Sequence, residues 1–196
     1  MLKIGITGNI GSGKTTVCQL FKNFGVPVFQ ADTVARSLYY LPEIRNAIIQ
    51  NFGENIYTGE KLNTAELASI IFNDPDALKT VNQLIHPAVQ EQFTKWCNQQ
   101  HYSPYVLYEA AIIFESGRQG HFDRIIVVKA PIAIRIQRIK LRDGLSVKQI
   151  RQRMQHQWTE KAKTGLADFI INNNGKQELL SQVERIHKQL LQESNR

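Results

Sequence analysis

Eight residues constrain this chain more than any others: Gly8-Asn9-Ile10-Gly11-Ser12-Gly13-Lys14-Thr15. They fit G-x-x-x-x-G-K-[ST] at every fixed position and directly follow the apolar run Leu2–Thr7. Behind them, Thr16-Val17-Cys18-Gln19-Leu20-Phe21-Lys22 reads as an amphipathic helix. A strand, a glycine-rich turn and a helix in that order make a Walker A phosphate loop. The glycines let the backbone curl so that successive N–H groups point inward at an anion, and the following helix presents its positive end to the same anion. Lys14 adds a mobile cation at the β/γ-phosphates, and the Thr15 hydroxyl is a candidate magnesium ligand. A glycine-rich turn without a ligand would explain Gly8, Gly11 and Gly13, but not Lys14 and Thr15 in this context.

The rest of the chain alternates strands with helices. Gly25–Gln30 reads as a second strand ending at Ala31-Asp32, followed by helical patterning from Thr33 to about Asn51, broken near Pro42. Residues 53–61 form a polar turn region, and residues 63–97 are helical with a break at Asn73-Asp74-Pro75. Strands resume at Tyr105–Tyr108, Arg124–Val128 and Phe169–Ile171. Helices are expected at Ile132–Leu141, at Ser146–Trp158 and at Gln177–Leu191. This order predicts an α/β fold with a parallel sheet covered by helices on both faces. A single domain accommodates 196 residues, with a helical insertion on it at about 60–100. No run reaches the ~18 apolar residues of a membrane span, and the first strand is too short for a signal peptide, so the expected location is the cytoplasm. The two cysteines, Cys18 and Cys97, have no metal-ligand spacing and read as small buried thiols.

The net charge of +7 is concentrated. Between Arg118 and Lys163 stand twelve Lys/Arg against three acids, so the remainder is slightly acidic. Such a segment either closes over a polyphosphate or grips nucleic acid, although most individual residues in it also read as solvated helix faces.

In a parallel sheet, ligands collect at the carboxyl ends of the strands. Asp32, just past the second strand, should face the phosphate loop across that crevice and could take a proton from an acceptor hydroxyl; it could equally cap the next helix. Arg138 and Arg142 share one helix face, and the turn Asp143-Gly144-Leu145-Ser146 behind them suits a hinged lid at about 138–163. His86, Glu109 and Glu115 are weaker candidates, and the five histidines show no metal spacing. Trp96 and Trp158 read as packing residues. No N-K-x-D element is present and no D-x-x-G follows the second strand, which disfavours a GTPase.

Further landmarks accompany these: Gln30-Ala31-Asp32 with Ala35-Arg36, Phe52-Gly53, His86-Pro87, Phe114-Glu115, Arg138 with Arg142, Gln157, and Ala167-Asp168 leading to Asn173 and Gly175. With the loop, they make the chain closely resemble the dephospho-coenzyme A kinases from Leu2 to the last helix. The resemblance implies transfer of the γ-phosphoryl group of ATP to the ribose 3′-hydroxyl of dephospho-coenzyme A, the last step of coenzyme A synthesis. It also implies a P-loop core, a helical substrate-binding insertion and a lid. Its nucleotide loop falls on Gly11, Ser12, Gly13, Lys14, Thr15 and Thr16, its catalytic aspartate on Asp32, and its lid and phosphate arginines on Arg138 and Arg142. Arg36, His86 and Glu115 fall on the substrate side. The chain departs from the family where Gln30 replaces the first Asp of D-A-D and Arg135 replaces a glutamine. Lys161 and Lys163 partly replace the arginines after Gln157.

The cofactors expected are ATP and Mg2+, and the partners small molecules, with no nucleic acid, no membrane and a monomer favoured. Two rivals share some of these features. A nucleoside or nucleotide kinase has the same architecture, and an ATP-dependent nucleic-acid-binding protein could use the basic segment. The second is disfavoured because the basic helices lack interleaved aromatics.

Overall fold

The computed structural model describes residues 1–194. It divides into two compact units: Met1–Gln30 with the residues from Gln100 onward, and Ala31–Gln99.

The first unit is built on β1 (Leu2–Thr7), β2 (Val28–Gln30), β5 (Tyr105–Glu109), β6 (Arg124–Lys129) and β7 (Phe169–Asn172). All pairings are parallel, in the order β2-β5-β1-β6-β7, so β1 lies in the middle with Ile4 opposite Leu107 and Arg124. Every residue of β5 is buried, which is why Tyr105–Tyr108 read as a continuous apolar run and not an alternation. Helices α1 (Lys14–Asn23) and α9 (Leu179–Ser194) bury Val17, Cys18, Phe21, Val183, Ile186 and Leu190 in one core with Ile4, Ile6, Leu107, Ile126 and Val128. The expected α/β fold is thus the fold observed, and both ends of the phosphate loop are set by buried elements.

The second unit carries α2 (Ala31–Leu38), α3 (Pro42–Phe52), the strands β3 (Tyr57–Thr58) and β4 (Lys61–Leu62), α4 (Thr64–Asn73) and α5 (Pro75–Cys97). Asp74 separates α4 from α5 because its carboxylate accepts the Asp76 and Ala77 N–H groups while Pro75 takes the first helical position. On α5, Ala77, Val81, Ile85, Val89, Phe93 and Cys97 recur every four residues as a buried stripe. Pro87 lies on its exposed side, and the helix runs through it.

Two local readings change. Residues 53–61 contain all but Leu62 of an antiparallel hairpin, in which Tyr57 faces Leu62 across Gly59; both are buried, and that burial closes the pair. The helix expected from Ser146 to Trp158 stops at Gln155. The α6 helix (Ile132–Asp143) ends on Gly144 in the left-handed region, α7 (Val147–Gln155) begins with a Ser146–Gln149 capping box, and a separate α8 (Glu160–Thr164) is capped by Thr159. The early stop follows from competition: Gln157 and Trp158 spend their polar groups on other segments. Among the described residues, no helix is long and apolar enough to cross a membrane.

Candidate active site

The loop between β1 and α1 is held by backbone geometry. Gly11 and Gly13 have φ of 81° and 89°, a region costly for residues with a Cβ. A Cβ on Gly13 would run into the Asn173 amide, and one on Gly11 would stand 2.8 Å from the Arg135 carbonyl oxygen. The glycines therefore serve both conformation and close approach. Gly13 supplies no side chain to cap α1, whose first turn holds no acid, so the positive end of the helix is left for an anion.

Neighbouring side chains then tie the loop. Lys14 Nζ donates to the Gly8 carbonyl at 3.0 Å. Asn173, at the end of β7 and buried, donates from Nδ2 to the Ser12 carbonyl at 2.8 Å. Arg138 donates from Nη2 to Asn173 Oδ1 at 3.0 Å and from Nη1 to the Gly11 and Ser12 carbonyls at 3.4 and 3.3 Å. Its guanidinium thus lies on the loop itself. Arg142 is placed differently, with Nε and Nη2 on the two oxygens of Asp143 at 2.7 and 2.9 Å and its side chain 65% exposed. This pairing pulls the Asp143 carboxyl below its ordinary range, with Arg153 adding to the effect.

Glu109, at the end of β5 and buried, accepts from Thr15 Oγ1 at 3.0 Å and from Gln30 Nε2 at 3.3 Å. This gives the departure at position 30 a physical sense, since a neutral amide can donate to a buried carboxylate that a second carboxylate would repel. Sequence reasoning underrated Glu109 and used Asn173 only as a landmark. The one available signal was positional, a polar side chain ending an apolar strand.

A cleft of about 600 Å³ opens beside the loop, lined among others by Asn9, Arg135, Arg151, Gln155 and Trp158. Arg135 is buried, and burial lowers its affinity for a proton, with Glu160 acting the other way. Glu115 Oε1 accepts from Lys163 Nζ at 2.8 Å and from the Trp158 N–H at 2.9 Å, and Lys163 is fully buried. The expected surplus of lid cations is therefore partly internal.

Within the second unit, Asp32 and Arg36 are exposed and four residues apart on α2. Arg36 borders a cavity of about 280 Å³ walled by Tyr39, Tyr40, Leu62, Leu67 and Ile71. His86 lies half-buried on α5.

The dephospho-CoA kinase family model matches residues 2–178. The chain belongs to the dephospho-CoA kinase family. A dephospho-CoA kinase of Bacteroides fragilis is 37% identical over 183 residues, which cover 93% of this chain and 89% of that protein. One of Chlorobaculum tepidum is 38% identical over 200 residues, covering 97% and 95%. Among solved structures, a Thermus thermophilus protein superposes with a TM-score of 0.86 at 32% identity, over 98% of this chain and 97% of that one. The family named by resemblance in the sequence is thus the family found. Phosphate-loop kinases of this family are phosphotransferases.

Proposed function

We propose that this chain transfers the γ-phosphoryl group of ATP to the ribose 3′-hydroxyl of dephospho-coenzyme A, releasing ADP and coenzyme A. The observation that supports the donor half is the tied phosphate loop, with Lys14 on the Gly8 carbonyl, Arg138 on the Gly11 and Ser12 carbonyls and a first turn of α1 that no side chain caps. Family membership names the acceptor.

In this reading, loop N–H groups from Gly11 to Thr16 and the Gly8 turn hold the β- and γ-phosphates, and Lys14 leaves the Gly8 carbonyl to neutralise them. Arg138 steadies charge as the phosphoryl group moves between oxygens, and Arg142 exchanges Asp143 for phosphate when the lid closes. Thr15 and Glu109 are oxygen donors 3.0 Å apart, the hard-donor chemistry that suits Mg2+ held mainly through substrate phosphates. Mg2+, when bound, would neutralise phosphate charge. Asp32 orients the acceptor hydroxyl and removes its proton; its exposed place on the first turn of α2 leaves it open to a substrate. Arg36 and His86 serve the acceptor, and the cavity beside Arg36 takes the acceptor's less polar arm. Glu115, expected on the substrate side, is held through Oε1 by Lys163 and the Trp158 N–H. Most of the acceleration would come from positioning and charge neutralisation.

The test is incubation of the pure protein with Mg-ATP and a panel of acceptors. The proposal expects 3′-phosphorylated product from dephospho-coenzyme A, and little from free nucleosides or nucleoside monophosphates. Turnover confined to the latter would transfer the assignment to a nucleoside or nucleotide kinase.

A further inference from the structure

The strap between α7 and α8 is fastened at a depth that a mobile lid does not require. Lys163 Nζ, fully buried, donates to Glu115 Oε1 at 2.8 Å and to the Ala111 carbonyl at 3.1 Å. The same Glu115 oxygen accepts the Trp158 N–H, and the Trp158 ring stacks on Phe114 with centroids 6.2 Å apart. Gln157 Nε2 reaches the Ala111 carbonyl as well, at 3.4 Å. From this anchored strap, two bonds run to the phosphate loop: Gln157 Oε1 accepts the Ile10 N–H at 2.7 Å, and Asn9 Nδ2 donates to the Trp158 carbonyl at 2.8 Å.

Asn9 and Ile10 lie between Gly8 and Gly11, whose backbones are conformationally permissive. Lys14, Asn173 and Arg138 tie the carbonyls of Gly8, Gly11 and Ser12, but not this front portion. We infer that the buried Lys163–Glu115 pair is a positioning device for ATP, holding the Gln157–Trp158 strap so that Asn9 and Ile10 are ordered before the nucleotide arrives. Ordering a loop in advance removes that cost from binding and so tightens it. A buried ion pair suits the task, because neither partner can leave without stranding the other's charge. Neither residue touches the phosphates; both act through Gln157 and Trp158. The inference rests on the nucleotide-binding half of the proposed function and is independent of the acceptor.

The experiment measures ATP affinity by calorimetry, steady-state constants for both substrates, and exchange of the Ile10 amide by NMR, in the full chain and in Lys163→Met and Gln157→Ala variants. Gln157→Ala removes two hydrogen bonds, with the Ile10 N–H and with the Ala111 carbonyl, without stranding a buried charge and is expected to weaken ATP about fivefold. Lys163→Met is expected to weaken it about tenfold or more. In both, Ile10 exchange accelerates, while kcat and the acceptor KM stay within about twofold of wild type well below the melting temperature. If Lys163→Met does not fold, Gln157→Ala decides by the same readouts. ATP affinity and Ile10 exchange at wild-type levels in a folded variant overturn the inference, as does a fall in kcat alone, which marks a merely structural pair. Wild-type protein that fails to bind ATP overturns the nucleotide reading itself, in an arm read before any variant.

Discussion

The phosphate loop and the second unit use their residues in opposite ways. Around the loop, function rests on backbone: glycines at positive φ, carbonyls tied by Lys14, Arg138 and Asn173, and an N–H tied by Gln157. In the second unit, Ala31–Gln99, an apolar stripe is buried along α5, and the candidate chemistry sits on a few side chains, Asp32 and Arg36 on α2 and His86 on α5. Donor binding should therefore fail when the backbone is disturbed, and acceptor chemistry when single side chains are.

The largest expected effect is on the side-chain half. Asp32→Asn should lower kcat by about 10²- to 10⁴-fold, the range for a lost general base, with ATP affinity unchanged by calorimetry. A parallel loss of ATP affinity would break the division between the halves, and near-normal turnover in a folded variant would remove Asp32 as base.

Gly13→Ala tests the backbone half. The strain of a Cβ at this φ is about 1–3 kcal/mol, and the clash with Asn173 adds to it, so ATP should weaken roughly 10- to 100-fold or more. The melting temperature should fall as well. Unaltered ATP binding would show that the loop tolerates what its geometry forbids.

Arg138→Lys keeps the charge but loses the planar fork that spans Gly11, Ser12 and Asn173. A drop of about tenfold in kcat/KM for ATP is expected, and full activity would reduce Arg138 to a point charge. Filling the cavity beside Arg36 with Ala68→Phe should raise the acceptor KM a few-fold and leave the ATP KM alone, because Ala68 lines that cavity.

The smallest effect concerns stability. His187 accepts or donates a 2.7 Å hydrogen bond with the Tyr105 hydroxyl and stacks on Phe24, and burial holds its pKa below 6.5. Below pH 6.5 the unfolded chain therefore binds a proton that the folded chain resists, so this residue's contribution is present above 6.5 and declines as the pH falls through and below it. A His187→Gln variant should show a flatter decline of melting temperature between pH 6.5 and 5; an unchanged slope would assign the effect to other groups.

Much of this was legible because it is local. The β1–loop–α1 sequence carries its own geometry, and the break at Asp74-Pro75 is a capping rule written in adjacent residues. The hairpin at residues 57–62 was not legible, since it depends on burial of Tyr57 and Leu62 and not on a strong turn pattern. The end of α7 was misplaced for a related reason: Gln157 and Trp158 favour helix by local pattern, yet bond to residues about 150 positions away.

By itself, then, the sequence determined the phosphate loop, the order of strands and helices, and the family, because each depends on neighbouring residues or on a pattern read along the chain. Tertiary structure alone decided the use of the charges. Glu109 meets Thr15 across 94 positions, and Lys163 meets Glu115 inside the protein instead of facing phosphate. A lysine's sequence neighbours fix its charge, but whether that charge faces solvent, a ligand or a buried carboxylate is set by which distant segments the sheet brings beside it.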